Sequence, residues 1–362
     1  MLIIGLIKPT IIYMKKIKKM ELNHKYIIGT HIMFYEIDMA EEHIQSILNA
    51  IQTVDNKENI HVDLLFNISE YFEKIDTSKT TKEKLIEKFK QLVSMFDSSI
   101  SYKIYDDNEP FTMVDYRRDL NYNGCKKYDY IIWGETDCLL PRQLFHSLEI
   151  IKDYAIQNNI HKYVTTFGMR KMWDQHWEPL EHVDMTNKPL HNRTLEDGSK
   201  NPLAYNNPYS IRYTMGIDEM DEINERYDEL DLRILKKPHF DGSGLVLSSD
   251  LIKNGVNIPQ SVVGHAVDDT NMMKMCSLIM KEQYVQFIVK NILKVHNREH
   301  PKKRRYCLQM DSDKVCTQEK GPNQRGKWYE LLKQMANINL NNVGDNQNKF
   351  YDYEDFKKEM KK

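Results

Sequence analysis

The chain has 362 residues, 41% of them hydrophobic, which is enough to fill the core of one large domain or of two ordinary ones. Its 51 basic and 53 acidic residues give a formal charge of -2, so its overall charge does not attract it to nucleic acid or to an anionic membrane. Five cysteines without CxxC spacing indicate neither a disulfide framework nor a structural zinc site, and we expect a cytoplasmic protein.

The first 24 residues are predicted to be an N-terminal extension. Their opening, MLIIGLIKPTIIYMKKIKK, is apolar, but Lys8 and Pro9 interrupt it and it is too short to span a bilayer. The basic residues follow the apolar part, which is the wrong order for a secretory signal. Any membrane contact is therefore expected through this N-terminus only. Met14 and Met20 are alternative first residues of the protein.

From Lys25 onward, strand-like and helix-like segments alternate. KYIIGTHIMFYEI is rich in β-branched and aromatic residues and predicts a strand, whereas DMAEEHIQSILNAIQTV has helical apolar spacing. IHVDLLFNIS, TTKEKLIEKFKQLVSMF and ISYKIYDD then predict a strand, a helix and a strand. This alternation predicts an α/β fold with a mostly parallel central sheet flanked by helices, which binds ligands outside the carboxyl ends of its strands.

The most apolar predicted strand ends in two acids. In YDYIIWGETDCLLP, the run from Tyr130 to Trp133 fits a strand buried on both faces, and Glu135 and Asp137 follow it directly. Two residues apart in extended geometry, their carboxylates point to the same side. They are suited to hold Mg²⁺ or Mn²⁺ together with substrate phosphates, and the alternative is a turn or helix-capping role.

A helix and the strand KYVTTFGM follow, and residues 172–237 then lose regular periodicity, with helical character only around GIDEMDEINERYDEL. Irregular segments of this length are usually functional or disordered. This one contains Trp173, Trp177 and several tyrosines, whose rings are suited to cover the apolar face of a sugar or to pack beneath a long loop.

Three later segments carry further polar groups. The sequence DGSG is an easy turn that lets backbone approach a ligand closely, and VDDTN puts Asp268 and Asp269 at a helix start. One of the two acids can cap the helix while the other serves as a general base. KVHNREHPKKRR then supplies His296 for a metal and the cations 302–305 for a diphosphate, or alternatively a solvated basic run.

In this order, these segments resemble a glycosyltransferase of the GT-A fold, most like family 2, over roughly residues 25–300. The resemblance depends on the first βα unit, YRRDLN, GETD, VDDTN and His296. It implies a Rossmann-like GT-A domain over residues 25–300, in which the irregular insert at 172–237 would contact the acceptor or form a lid. Residues 301–362 are predicted from their composition to be a basic and then polar tail. The resemblance further implies metal-dependent, inverting transfer from a nucleotide-sugar donor, with a UDP-sugar favoured, to a hydroxyl of a glycan, protein or small molecule.

The resemblance also implies residue roles. Asp137 and His296 would bind the metal, Glu135 would contact the ribose or a metal-bound water, and Asp268 or Asp269 would be the base. Asp268 is slightly preferred, because Asp269 is better placed to cap the helix. The donor residues that it implies are Phe34, Tyr35, Glu36 and Asn67 for the nucleobase, Arg117, Arg118, Asn121 and Lys303 for the phosphates or sugar, and Gly242 and Gly244 for close backbone approach. Three positions depart from the family pattern: Glu135 and Asn67 stand where Asp is usual, and Cys138 stands where a third acid is frequent.

Two other functions remain open. A sugar-phosphate nucleotidyltransferase would carry a Gly-rich phosphate loop with Arg and Lys after the first strand, but MFYEIDMAEE stands there and argues against it. A non-catalytic binding protein on the same fold would be indicated by loss of the acids, which are present. The near-neutral charge also argues against nucleic acid as the acceptor.

Overall fold

A computed structural model of the chain describes residues 10–13, 19–69, 74–97, 100–107, 111–235, 241–259, 268–280 and 283–308. Most of the predicted N-terminal extension and residues 309–362 of the predicted tail lie outside these ranges. Within them, no helix combines the length and the apolar character needed to cross a bilayer.

The strands are β1 (Thr10–Tyr13), β2 (Tyr26–Met33), β3 (Ile60–Asn67), β4 (Ile100–Tyr105), β5 (Tyr130–Gly134), β6 (Cys138–Leu139), β7 (Tyr163–Gly168), β8 (Glu229–Ile234), β9 (Leu245–Ser248), β10 (Val285–Leu293) and β11 (Val295–His296). The α-helices are α1 (Ile37–Ile51), α2 (Lys82–Val93), α3 (Met113–Gly124), α4 (Leu144–Gln157), α5 (Val183–Thr186), α6 (Pro202–Tyr205), α7 (Ile217–Asn224), α8 (Ser249–Lys253) and α9 (Asp268–Met275). Single 3-10 turns cover Phe34–Glu36, Lys57–Asn59 and Gln175–Leu180, and the π-helical turn Cys276–Met280 continues α9.

The described strands form one large sheet and one small ladder. The sheet has the order β1-β8-β10-β7-β9-β5-β2-β3-β4, and β6 pairs with β11 separately. Strands β5, β2, β3 and β4 are parallel neighbours, as are β7 and β10, whereas β8 and β9 run against the others. The predicted α/β class with a mostly parallel central sheet flanked by helices is therefore confirmed.

Burial on both faces explains why the central strands are continuously apolar. All eight residues of β2 and all five of β5 are buried. Along β5, Tyr130 and Ile132 belong to one apolar cluster, and Ile131 and Trp133 belong to another. This alternation places Trp133 on the face covered by α3, beside the candidate site.

Three elements differ from the predictions or add to them. MVDYRRDLNYNG forms α3, a helix not predicted from the sequence, which begins with a capping box between Thr112 and Asp115. The segment QYVQFIVKNILKVH, whose sequence pattern fits either a helix or a strand, forms β10. Within residues 172–237, the predicted helix forms as α7, and β8 joins the sheet because Leu230 and Leu232 alternate inward.

The first part of the predicted tail folds back onto the core. Cys307 is buried and forms an isolated bridge with Ile75, and the Tyr306 hydroxyl donates to Asp38 at 3.0 Å. The predicted domain boundary at residue 300 stays a prediction, but residues 301–307 are held against the edge where β2 ends.

Candidate active site

The carboxyl ends of β2, β3 and β5 lie side by side. Met33 is in register with Asn67, and Thr30 with Gly134, so the residues after β2 and β5 emerge at one edge. The Thr136 hydroxyl donates to Glu36 across this edge at 3.0 Å. Parallel strand direction therefore brings the acids after the central strand next to the turn after the first one.

The β6–β11 ladder brings His296 to the two acids that follow β5. His296 is paired with Cys138, and the backbone N–H of Asn297 donates to the Asp137 carbonyl at 2.6 Å. The Nε2 atom of His296 lies 3.5 Å from Oε2 of Glu135 and 3.5 Å from Oδ2 of Asp137. Ligand atoms of the three predicted metal residues all lie within 4.8 Å of one another.

Asp241 orients the imidazole of this cluster. Its Oδ2 lies 2.9 Å from Nδ1 of His296, and its carboxylate also accepts from the Ser243 hydroxyl at 2.9 Å. A carboxylate on one ring nitrogen fixes the tautomer and directs the other nitrogen at a metal. With two carboxylate oxygens and one imidazole nitrogen, the donor set fits Mg²⁺ or Mn²⁺.

The cluster is strongly charged. Burial lowers the pKa of His296, but the carboxylates of Asp241 and Asp137 outweigh it and raise that pKa to about 9. Burial likewise works to raise the pKa of Asp137, yet Lys303 and His296 hold it well below its usual range. A bound cation would take the place of the imidazole proton, because metal ligands must be deprotonated.

The predicted phosphate ligand Lys303 reaches the same carboxylate. Its Nζ lies 2.7 Å from Oδ2 of Asp137 and 4.0 Å from Oε1 of Glu36. Burial raises the pKa of Glu36, with Lys303 acting in the opposite direction. The basic run therefore places one ammonium group in the candidate site, where it compensates Asp137.

Arg117 connects the central strand to the start of α9. Its guanidinium is 2% exposed, pairs with Oε1 of Glu135 at 2.8 Å, and forms a second ion pair with Asp268. It also donates to the Gly242 carbonyl at 3.3 Å and lies 4.6 Å above the Trp133 ring. One buried cation thus fixes two acids and the DGSG turn.

The two neighbouring acids of α9 lie in different surroundings. Asp268 is committed to its ion pair with Arg117. Asp269 accepts from the backbone N–H of Gly242 at 3.1 Å and of Thr270 at 2.6 Å. Burial, followed by the charges of Asp268 and Asp241, raises the pKa of Asp269 to about 7.

The predicted nucleobase residues are buried beside the site. Phe34 and Tyr35 are almost fully buried, and the Arg304 guanidinium lies 4.4 Å above the Tyr35 ring. The amide of Asn67 donates to the Phe111 carbonyl at 2.8 Å and contacts His31 at 3.3 Å. Their role in binding a base stays a prediction.

Two further predicted donor residues have their described contacts elsewhere. Arg118 donates to the carbonyls of Ile258 and Pro259, and the Asn121 amide is bonded to Trp133 and Asn257 at 2.9 Å each. None of these named partners belongs to the metal cluster. Gly244 has a φ of 62°, and its N–H donates to the Trp133 carbonyl, so this glycine shapes the turn beside β5.

Sequence reasoning did not assign a role to Asp241 or Lys294. Asp241 belongs to the DGSG turn, and the Lys294 ammonium lies 3.8 Å from it and contacts the Ser243 carbonyl. The sequence DGSG predicts the turn, but it does not predict that Asp241 contacts His296, because the ladder between β6 and β11 positions His296.

No protein-family model matches the sequence, and no curated protein matches it. Several solved structures are similar to it in shape. Mycobacterium tuberculosis glucosyl-3-phosphoglycerate synthase is 9% identical, with 86% of this chain and 81% of that one covered and a TM-score of 0.35. The 4-diphosphocytidyl-2C-methyl-D-erythritol synthase from Anaerococcus prevotii DSM 20548 is 11% identical, with 74% of this chain and 89% of that one covered and a TM-score of 0.33.

HddC from Yersinia pseudotuberculosis is 10% identical, with 40% of this chain covered and a TM-score of 0.23. The chain spans only 58% of the length of that protein. With identities and TM-scores this low, none of these likenesses carries an argument about activity.

Proposed function

We propose that this chain is a metal-dependent glycosyltransferase that moves a sugar from a nucleotide-sugar donor to an acceptor hydroxyl with inversion at the anomeric carbon. The observation that carries the proposal is the convergence of Glu135, Asp137 and His296, with ligand atoms within 4.8 Å of one another. The resemblance of the five sequence segments to GT-A glycosyltransferases supports the same reaction.

On the donor side, Asp137, Glu135 and His296 would hold the cation, and Lys303 would pair with the diphosphate. A divalent cation bound there would supply charge neutralisation for the leaving nucleoside diphosphate. Lys303, now 2.7 Å from Asp137, would exchange that carboxylate for a phosphate oxygen when the donor enters. Arg117 would keep Glu135 in place through its 2.8 Å ion pair.

On the acceptor side, we assign the general base to Asp269. Its pKa of about 7 suits proton acceptance near neutral pH, and the Gly242 N–H at 3.1 Å orients its carboxylate. This assignment replaces the slight preference for Asp268, which is bound to Arg117. Asp269 would take the proton of the acceptor hydroxyl as the oxygen attacks the anomeric carbon.

The test is a binding and release assay with UDP-, GDP-, CDP- and TDP-sugars, with and without Mn²⁺. We expect one donor to bind in a metal-dependent manner and to be hydrolysed slowly, and Asp137→Asn to abolish both effects. Asp250→Asn, an exposed acid paired with Lys253 on α8, is the matched control. Absence of metal-dependent binding for every donor, or unchanged behaviour of Asp137→Asn, contradicts the proposal.

A parallel arm separates this activity from nucleotidyl transfer. The chain is incubated with nucleoside triphosphates and sugar 1-phosphates, and released pyrophosphate is measured. We expect none. Pyrophosphate release that requires Asp137 would assign the site to a nucleotidyltransferase instead.

A further inference from the structure

A cavity of about 650 Å³ lies between α5, α7 and the chain at Pro208 and Tyr209. This volume falls within the roughly 300–1,000 Å³ typical of small-molecule sites. None of the residues assigned above to the metal, the donor or the base lines it. The cavity is therefore separate from the residues assigned to those roles.

The wall of the cavity is joined to the metal cluster through Asn297. The Asn297 side chain exchanges two hydrogen bonds with the backbone of Met215, at 2.9 and 3.0 Å, while its N–H donates to the Asp137 carbonyl. Met215 and Met185 line the cavity and pack in one apolar cluster with Leu139, two residues after Asp137. Asn297 thus connects the lining residue Met215 to the backbone of the metal ligand Asp137.

The lining combines aromatic rings with an excess of carboxylates. Tyr209 and Tyr227 are half-buried and present ring surface. The lining acids are Asp184, Glu219 and Glu222, and the lining bases are Lys188 and Arg226.

Every charged lining group has a partner. The Tyr227 hydroxyl donates to Asp184 at 2.7 Å, and the Tyr213 hydroxyl donates to Glu219 at 3.0 Å. The Lys188 ammonium lies 4.4 Å over the Tyr209 ring, and Arg226 lies 3.6 Å from Glu222 and 4.0 Å from Asp184. With three carboxylates against two cations, the lining carries a formal charge of -1, which disfavours an anionic ligand, and each carboxylate keeps lone pairs beyond these contacts. Ionised carboxylates only accept hydrogen bonds, so they favour a ligand that offers many hydroxyl donors.

We propose that the cavity is a remote acceptor subsite that binds the non-reacting residues of a neutral oligosaccharide. Hydroxyl groups would meet the carboxylates, and the apolar faces of the sugar rings would lie against Tyr209 and Tyr227. The inference deepens the proposed function, because binding energy from remote parts of an acceptor positions its reacting hydroxyl.

The experiment measures saccharide binding to the full chain without donor or metal, by saturation-transfer NMR and calorimetry. The probes are maltohexaose, cellohexaose and the N-acetylglucosamine hexamer, with hexagalacturonate as the anionic counterpart. We expect at least one neutral hexamer to bind and hexagalacturonate not to bind. Binding of none of the neutral hexamers, or tighter binding of hexagalacturonate, overturns the proposal.

Two variants and one control locate the binding. Tyr209→Ala should raise the Kd of the bound hexamer about fivefold to tenfold through loss of the ring surface. Tyr227→Phe keeps the ring and removes the hydroxyl that donates to Asp184 at 2.7 Å, so it should raise the Kd about twofold to threefold because Asp184 is no longer held in place for the ligand hydroxyls. Tyr102→Ala, an exposed tyrosine on the edge strand β4, should leave the Kd unchanged. Equal Kd values for wild type, Tyr209→Ala and Tyr227→Phe would overturn the assignment, and Tyr227→Phe tests it even if Tyr209→Ala misfolds.

Failure of this inference can be told apart from failure of the proposed function. Donor binding is measured without saccharide and depends on Asp137, whereas hexamer binding is measured without donor and depends on Tyr209. A chain that binds a nucleotide-sugar but no neutral hexamer retains the proposed function and loses this subsite.

Discussion

The Oδ2 atom of Asp241 lies 2.9 Å from Nδ1 of His296, and this contact turns the opposite ring nitrogen toward Glu135 and Asp137. The carboxylate thus prepares an imidazole to act as a metal ligand. Asp241 is itself held by Ser243 and lies 3.8 Å from Lys294, so the orienting group does not move freely.

Asp241→Asn should weaken Mn²⁺ binding about 10- to 100-fold, because the amide can present the wrong group to Nδ1 and is a poorer acceptor than a carboxylate. Calorimetric titration with Mn²⁺ measures the change. Asp250→Asn on α8 should bind the metal like the wild type. Unchanged affinity in Asp241→Asn would show that His296 does not depend on this contact.

If Asp269 is the base, kcat/KM should rise about tenfold per pH unit up to about pH 7 and level off above it, since only the carboxylate accepts a proton. Asp269→Asn should lower kcat about 10²- to 10⁴-fold and keep donor affinity. A pH–rate profile with the best donor checks this. If Asp269→Asn keeps full activity while a folded Asp268→Asn variant loses it, the general base is Asp268 and not Asp269.

The same carboxyl has a stability signature of known sign. Its folded-state pKa of about 7 lies above the unfolded value near 3.9, so its ionisation destabilises the fold progressively as pH rises from about 4 to about 7. Asp269→Asn should therefore be more stable than wild type at pH 8 by about 1 to 3 kcal/mol, with no difference near pH 4. Urea unfolding at both pH values tests the sign, and a gain that is largest at acid pH would contradict it.

Lys303→Met should have opposite effects on two ligands. Metal binding to the free chain should tighten, because the ammonium 2.7 Å from Asp137 no longer competes. Binding of the nucleoside diphosphate should weaken about 10- to 100-fold through loss of a charge-assisted hydrogen bond. Titrations with Mn²⁺ and with nucleoside diphosphate measure the two effects.

The matched control for Lys303→Met is Lys79→Met, which removes a lysine paired with Asp76 at a partly exposed site. It should alter neither affinity. If Lys303→Met weakens the binding of both the metal and the diphosphate, Lys303 does not exchange Asp137 for a phosphate oxygen as proposed.

Gly134→Ala should destabilise the chain and disturb the metal site together. An added Cβ would lie 2.1 Å from Oγ1 of Thr30 and 2.9 Å from Nε2 of His43, which bond to each other across the end of β2. We expect a loss of about 2 to 3 kcal/mol in urea unfolding and weaker Mn²⁺ binding, because Glu135 follows directly.

Gly216→Ala is the matched control for Gly134→Ala, since its added Cβ would meet no atom closer than 3.4 Å. It should change stability by well under 1 kcal/mol and leave the metal site intact. Wild-type stability in Gly134→Ala would mean that the close packing beside β5 can relax without cost.

Local periodicity predicted much of the fold but not α3. Two of the buried residues of this helix are arginines, Arg117 and Arg118. Its inner face therefore lacks the apolar periodicity from which a helix is predicted. Arg118 pairs with Asp115 in the same helix at 2.8 Å, whereas the other partners are distant in sequence: backbone carbonyls after α8 for Arg118, and Asp268 and Glu135 for Arg117. Compensation by such distant partners leaves no trace in a window of neighbouring residues.

The sequence by itself determined the alternation of strands and helices and the acids at the end of β5. Apolar burial repeats with the period of each element, and parallel strands share one carboxyl edge. Only the tertiary structure decided that His296 and Asp241 meet beside those acids, and that Arg117 takes Asp268 and leaves Asp269 with the raised pKa. These partners lie far apart in the chain, and a pKa depends on the burial and charges that packing creates.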